Sequence, residues 1–356
     1  MRHLIDPTDL SLDETLQIIA TAEDIIANRP KYSTACHGKK LATLFYEPST
    51  RTRLSFNAAM LELGGTVLGF DDAASSSVSK GETVADTTRV LECFADIIAM
   101  RHFKEGAPLV ASQYVKIPVI NAGDGSHAHP TQTLTDLLTI KRELGRLDGL
   151  TIGFCGDLKY GRTVHSLIKA LARLADINVV LIAPEELKLP AYVYKEVAGS
   201  PISFVEAATL EEAMPTLDVL YMTRVQGERF ADKAEYERLK DSFILSPEKL
   251  AEAKESMIIL HPLPRVNEIT RSVDADPRAA YFRQVENGKF VRMALIYSLL
   301  KWNEGLMPAT TPHYAADLEQ VGHICKNPAC ITATEDVDRL SKRAADGAVH
   351  CAYCDK

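Results

Sequence analysis

Short apolar runs alternate with stretches of helical periodicity along most of the chain. Leu41-Ala42-Thr43-Leu44-Phe45-Tyr46 reads as a buried strand. A helical pattern follows, with Leu54, Ala58 and Leu61 on one face and Gly64-Gly65 as its stop; a strand around Val67–Phe70 completes a βαβ unit. Ahead of it, Ser11 and Glu14 form a capping box for a helix carrying Leu12, Leu16, Ile19 and Ile26 as far as Pro30. Beyond it come a helix over 82–94, a strand over 95–100 ending in Arg101-His102, a strand over 118–121 and a long helix with Leu134, Leu137, Leu138 and Leu144. A second alternation begins at Thr151–Cys155, with further strands at 178–182, 202–205, 218–222 and 257–260, and a helix from Gly288 to about Trp302 crosses back. The pattern predicts an α/β protein of two doubly wound parallel-sheet domains joined by helices. The first covers 1–146 and is completed by the helix 288–303; the second covers 147–287. Residues 304–320 read as a linker, and 321–356 as a small cysteine-bearing module.

Composition narrows the class. The 356 residues are 46% hydrophobic and 25% charged, with a net charge of -8. Such a balance argues against a nucleic-acid or anionic-membrane surface, so an anionic ligand must be held by local arginines. The start lacks a signal-peptide apolar core, and no apolar run approaches the ~18 residues of a membrane span. A cytoplasmic protein is expected.

The candidate chemistry lies at predicted strand ends, where open α/β sheets bind ligands. Ser49-Thr50-Arg51-Thr52-Arg53 sits where a strand hands over to a helix N-terminus, so free backbone N–H groups, hydroxyls and guanidinium groups converge on an oxyanion site suited to phosphate. Arg101 and His129-Pro130-Thr131-Gln132 fall at the same edge. A serine-rich loop over 71–80 ends in Lys80 and reads either as a connector or as a clamp over a site. In the second half, Gly156-Asp157-Leu158-Lys159-Tyr160-Gly161-Arg162-Thr163 nearly matches a P-loop, but Arg162 stands where the lysine must reach phosphates, and Gly153 and Gly156 do not complete G-x-G-x-x-G. Arg162 is instead a carboxylate candidate. Arg224 and Gln226 suit a second carboxylate, and His261-Pro262-Leu263-Pro264-Arg265 a rigid pocket wall.

Taken in order, these motifs resemble the catalytic chains of the aspartate carbamoyltransferase family over roughly residues 3–305. Ser79-Lys80-Gly81-Glu82-Thr83, Met100-Arg101-His102 and Met222-Thr223-Arg224-Val225-Gln226 belong to the same series. The first motif is common to carbamoyltransferases; the choice of aspartate over ornithine rests on Thr223–Gln226 and His261–Pro264. The resemblance implies that Ser49, Thr50, Arg51 and Thr52 hold the phosphate of carbamoyl phosphate, and that Arg101, His129 and Gln132 contact its carbonyl and amide. It implies that Arg162, Arg224 and Gln226 bind the carboxylates of aspartate beside Leu263 and Pro264, with Lys80 serving both substrates. Arg51, Thr52, Arg101 and His129 would be the catalytic groups. Ser76 and Lys80 would reach the site of a neighbouring chain, giving a homotrimer or higher homo-oligomer with shared active sites, though Ser76 and Ser77 are hard to tell apart. No catalytic cofactor is implied, and no general base is assigned. Two rivals stand beside this reading: a carbamoyltransferase for another amino acid, and a non-catalytic zinc-stapled homologue.

Cysteine usage adds a module. Cys36, Cys93 and Cys155 are scattered, whereas Cys325-x₄-Cys330 and Cys351-x₂-Cys354 pair within the last 32 residues. Such pairs read as a tetrahedral Cys₄ structural zinc site, against stray thiols or disulfides, with His323 and His350 as alternative ligands. So short a tail cannot build a core alone, which makes metal a source of its folding free energy. The stretch resembles the zinc-binding end of the aspartate carbamoyltransferase regulatory chain, without that chain's nucleotide-binding domain. A full regulatory chain is therefore expected to be absent or not required, and the module to mediate contacts between chains or trimers.

Overall fold

A computed structural model describes residues 1–356 except 73–76, 228–229, 231, 311–317, 321–323 and 344–346. Contacts divide the chain into two units, Met1–Leu134 with Gly288–Lys356, and Thr135–Asn287.

The first unit opens with helix α1 (Leu12–Ala27), where Ser11 and Glu14 cap each other's backbone N–H groups as the spacing predicts. Pro30 does not end helical structure; it sits near the start of a further turn, α2 (Arg29–Tyr32), where its missing N–H costs nothing. Then follow β1 (Lys40–Phe45), α3 (Thr50–Glu62), β2 (Thr66–Phe70), α4 (Val84–Glu92), β3 (Ile97–His102), α5 (Ala107–Tyr114), β4 (Val119–Asp124) and α6 (Pro130–Leu144). The four strands are parallel in the order β2-β1-β3-β4. Helices on the faces bury the sheet, so Leu41, Ala42, Leu44, Ile97, Ile98 and Val119 are fully enclosed and read as unbroken apolar runs. Residues Leu4 and Asn121 clip the N-terminal segment along β4.

The second unit continues with β5 (Thr151–Cys155), α7 (Arg162–Leu171), β6 (Asn178–Ile182), α8 (Ala191–Glu196), β7 (Ser203–Glu206), α9 (Leu210–Ala213), β8 (Val219–Met222), α10 (Lys233–Leu239) and β9 (Ile258–Leu260). Its parallel order is β7-β6-β5-β8-β9. In each sheet the chain reverses its direction of advance once, between β1 and β3 in the first and between β5 and β8 in the second. The crevice outside the carboxyl ends of those pairs is the ligand position of an open α/β sheet.

Helix α11 (Tyr281–Asn303) starts seven residues before the Gly288 at which the sequence pattern begins, so Gly288 lies inside it. By contacts, the divide between units falls inside α6 and α11. Strand β3 runs two residues past Met100 to include Arg101 and His102.

The C-terminal tail forms an antiparallel hairpin, β10 (Ser341–Arg343) with β11 (Val349–Cys351). It is not a module held apart. Cys330, Ile331, Val337, Ala352 and Tyr353 share one apolar cluster with Tyr46, Met100, Ala107, Val110 and Ala111 of the first unit. The tail thus draws on the first unit's core, and packing contributes to its fold alongside any metal.

Candidate active site

At the first switch point, β1 feeds α3 through Tyr46–Ser49. Ser49 is the N-cap of α3, yet its side chain caps no backbone N–H. Thr50 and Arg51 are exposed on the first turn, and Thr52 is buried beneath them. This turn collects the unpaired N–H groups and positive end of the helix. The pattern's two arginines do not converge, because residues i and i+2 of a helix diverge by more than half a turn. Arg51 stays at the N-terminus, while Arg53 turns to Asp71 at 2.7 Å.

Arg101 stands opposite Phe45 on the neighbouring strand, and its carbonyl accepts the Tyr46 N–H at 2.8 Å. The β3–β4 register shifts between Met100 and His102, so one extra residue of β4 faces this stretch and re-aims it, as bulges beside functional sites do. The Arg101 side chain is mostly buried, with Nε 3.3 Å from Glu47 Oε2. His129, immediately ahead of α6, is buried; its carbonyl accepts Gln132 N–H at 3.0 Å. Gln132 is half-buried. Lys80 is exposed at the end of the turn Ser77–Lys80; Ser76 lies outside the described residues.

A residue that the pattern did not single out joins these pieces. Arg292 of α11, only 4% exposed, donates from Nη1 to Ser55 Oγ of α3 at 3.1 Å and from Nη2 to Thr131 Oγ1 of α6 at 3.3 Å. Its guanidinium lies over the Phe56 ring. The sequence signal was present: a lone arginine between Val291 and Met293 in an apolar run is costly unless partnered.

At the second switch point, Gly156 ends β5 with φ +113°, and a Cβ there would sit 2.3 Å from the Thr223 carbonyl oxygen, so only glycine permits the approach. Asp157 is wholly buried; Oδ1 accepts Tyr160 N–H at 2.9 Å and Oδ2 accepts Gln226 N–H at 3.2 Å. This carboxylate thereby ties the loop before Arg162 to the loop of Arg224 and Gln226. Burial raises its pKa, and the backbone N–H groups work against that rise. Arg162 is the first residue of α7; Arg224 and Gln226 follow β8, all three half-buried. The Gln226 amide donates to Tyr160 O at 3.0 Å.

His261 is buried at the end of β9. Burial lowers its pKa, with Glu268 pulling the other way, so the neutral ring accepts Leu263 N–H at Nδ1 (2.7 Å) and faces Glu268 from Nε2 (2.7 Å). That bond holds half-buried Leu263 at φ +52°, a left-handed conformation unusual for a branched residue, with Pro264 exposed beside it.

In the tail, donor atoms of Cys325, Cys330, Cys351 and Cys354 all lie within 4.8 Å of one another. Cys325 and Cys354 sulfurs are 3.5 Å apart, and those of Cys330 and Cys351 3.8 Å. A tetrahedron of 2.3 Å zinc–sulfur bonds has edges of about 3.8 Å, so the four thiols fit such an ion. Hydrogen bonds from Cys351 and Cys354 lower the Cys330 pKa, and Thr332 Oγ1 donates to its sulfur at 3.2 Å.

Each of the two parallel-sheet units brings arginine and polar side chains to its switch point, a donor set suited to small anions. The chain belongs to the aspartate/ornithine carbamoyltransferase family: residues 2–142 match the model of its carbamoyl-P binding domain and 148–299 that of its Asp/Orn binding domain. It is 65% identical over 301 residues to an aspartate carbamoyltransferase catalytic subunit from Lachnoclostridium phytofermentans, covering 84% of this chain and 98% of that one. A catalytic subunit from Clostridium acetobutylicum is 62% identical over 300 residues, with the same coverage. Among solved structures, the catalytic subunit of M. jannaschii aspartate transcarbamoylase superposes with a TM-score of 0.79 at 49% identity, covering 86% of this chain and 100% of that one. The Trypanosoma cruzi enzyme in complex with N-(phosphonacetyl)-L-aspartic acid gives 0.77 at 41%, covering 83% and 94%. The cysteine tail lies beyond both family-model matches. Among the described residues no helix is long and apolar enough to cross a membrane.

Proposed function

We propose that the chain is an aspartate carbamoyltransferase: it transfers the carbamoyl group of carbamoyl phosphate to the amine of L-aspartate, giving N-carbamoyl-L-aspartate and phosphate, an early step of de novo pyrimidine synthesis in the cytoplasm. The reading rests on identity of 58–65% to catalytic subunits of that activity over 98% of their length. In this reading Ser49, Thr50, Arg51 and Thr52 grip the phosphate at the α3 N-terminus. The neutral amine attacks the carbamoyl carbon, the carbonyl oxygen becomes an oxyanion, and as it collapses the carbon–oxygen bond to phosphate breaks; the phosphate takes up the amine proton and leaves as the hydrogen phosphate dianion. Thr52, Arg101 and His129 stabilise the oxyanion, and Gln132 orients the carbamoyl amide. Arg162, Arg224 and Gln226 take the aspartate carboxylates, with Leu263 and Pro264 lining them. No covalent nucleophile is needed; orientation and charge stabilisation carry the rate.

Lys80 and Ser76 complete the site of an adjacent chain, so the active unit is a homotrimer or larger. Cys325, Cys330, Cys351 and Cys354 hold a structural Zn²⁺, which supplies folding free energy and takes no part in the reaction. The test is ureido-product formation by zinc-replete protein with aspartate or ornithine as acceptor. Product with aspartate alone is expected. Product with ornithine overturns the roles of Arg224 and His261–Pro264, and none with either, in folded trimeric protein, overturns the reading altogether.

A further inference from the structure

Among the described residues, three of the tail's polar contacts with its own unit lie beside segments assigned to carbamoyl phosphate. The first is Glu105, four residues after Arg101 and only 1% exposed. Its backbone brackets a cysteine: its N–H donates to Ala329 O at 2.9 Å and its carbonyl accepts Ile331 N–H at 2.9 Å, one residue either side of Cys330. Its carboxylate accepts Asn327 Nδ2 at 2.6 Å and Lys356 Nζ at 2.9 Å from the tail, and Ser126 N–H at 3.3 Å from the loop that leads to His129.

The second place is that loop itself. Five residues separate the end of β4 at Asp124 from the start of α6 at Pro130. Asp124 shapes them, accepting Ala128 N–H at Oδ1 (3.1 Å) and Gly106 N–H at Oδ2 (2.7 Å), and facing His127 Nδ1 at 3.0 Å. The other ring nitrogen of His127 meets Asp355 Oδ2 at 2.8 Å. Of the three carboxylates around this enclosed imidazole, Asp6, Asp124 and Asp355, the last therefore belongs to the tail, next to Cys354. The third place is the N-terminus of α4, where both oxygens of Glu335 receive Val84 N–H at 3.0 and 3.1 Å. That N–H has no partner within its helix, and Lys80 precedes it by four residues. Between these struts the tail backbone lies directly on the unit: a Cβ on Gly106 would come within 2.4 Å of Tyr353 Cβ.

We propose that the Cys₄ tail is an internal brace for carbamoyl phosphate binding, in which Asp355, Glu105 and Glu335 are positioning residues for the segments bearing His129, Arg101 and Lys80. The inference deepens the reading above and rests on its assignment of those residues. Because two of the struts flank Cys330 and Cys354, fixing the cysteines on a metal fixes the struts. The mechanism then predicts a loss specific to one substrate. Apart from Lys80, aspartate is assigned to Arg162, Arg224, Gln226, Leu263 and Pro264 of the second unit.

The test uses the full-length protein with its bound zinc quantified, and compares the parent with Asp355→Ala, Asp355→Glu and Glu335→Ala. KM is measured for each substrate, together with amide hydrogen exchange of residues 125–128. In metal-replete Asp355→Ala, the KM for carbamoyl phosphate is expected to rise about tenfold, the usual effect of losing an orienting partner behind a site. The KM for aspartate stays within twofold, exchange at 125–128 quickens about tenfold, and Asp355→Glu recovers part of both. Since Asp355 adjoins a cysteine, Glu335→Ala, five residues from the nearest one, keeps the question open to a protein that binds metal normally. It is expected to quicken exchange at Val84 and to raise the same KM. Unchanged KM and exchange in both metal-replete alanine variants overturn the brace, as does an equal rise for both substrates. Protein that carries no zinc, yet shows these changes, upholds the brace and overturns the metal reading instead.

Discussion

Arg292 illustrates how a single side chain can organise a site that it does not line. Its fork spans Ser55 in the first turns of α3 and Thr131 in the first turn of α6, and Nη1 also donates to Gly288 O at 2.9 Å. A lysine keeps the charge but offers one ammonium at one point, so it cannot hold both hydroxyls. Arg292→Lys is expected to fold with a loss of roughly 1–3 kcal/mol, the range for leaving buried polar partners unmet. It should also lower kcat/KM for carbamoyl phosphate about tenfold by loosening two segments of the half-site at once. Steady-state kinetics and urea midpoints check both. Unaltered kinetics alongside lost stability would make Arg292 a core residue only. At this scale the sequence carried the residues placed by backbone geometry: Ser49–Thr52, Arg101, His129 and Arg224 all sit where strand ends predict. What it hid were carboxylates and guanidinium groups acting at long range. Asp157 tying 160 to 226 and Glu105 meeting 327 and 356 depend on chain segments that pattern alone cannot bring together.

Elements were legible wherever burial dictates them. The strands of both sheets fall within about three residues of their apolar runs; the inner ones, enclosed on both faces, have no other composition open to them, while β2 and β7 are edge strands with much of their length exposed. Helix α5 was missed. Its N-cap is Gly106 at φ +84° and Pro108 stands in its first turn, so it carries glycine and proline where a sequence reading expects a loop. The early turns of α11 were missed because Gly288 reads as a start. The tail's hairpin was legible only as a cysteine pattern, and its dependence on metal is open to measurement. Cys351→Ser removes one of the four proposed ligands, on β11, while leaving Tyr353, Ile331 and Val337 to pack, side chains each worth roughly 1.5–3 kcal/mol when buried. With three ligands left, the hairpin is expected to fray, and limited proteolysis should release a fragment ending between residues 303 and 340. A chelator should do the same to the parent. Full protection of Cys351→Ser would mean that packing alone holds the tail.

At the scale of the molecule, the clearest expectation concerns three buried groups in acid. Burial pushes His3 down to about 3 and His102 down to about 4. Both rings are neutral acceptors, His3 Nδ1 for Val119 N–H at 3.0 Å and His102 Nδ1 for Lys104 N–H at 2.9 Å. Unfolded histidines take up protons near pH 6.5, so the stability these two contribute is complete above that value and is lost as pH falls towards 4. Asp9 works in the opposite sense. Burial and the neighbouring Asp6 push it up to about 7, while its Oδ2 accepts Ile5 N–H at 2.6 Å and Asp6 N–H at 2.8 Å. An unfolded aspartate ionises near pH 4, so the folded state holds the extra proton and loses stability as pH rises from about 4 to 7. Among these three groups, two histidines against one aspartate leave a net uptake of one proton on unfolding, a contribution that falls by about 1.4 kcal/mol for each pH unit between 6.5 and 4, and His261, likewise held neutral by burial, acts in the same sense. Asp9→Asn keeps an acceptor for both backbone N–H groups and removes the opposing ionisation. Its stability should therefore drop about twice as steeply over that window, and exceed the parent's at pH 8 by up to about 4 kcal/mol. Urea midpoints between pH 4 and 8 decide the matter: parallel curves for parent and variant would mean that Asp9 is already ionised in the folded protein.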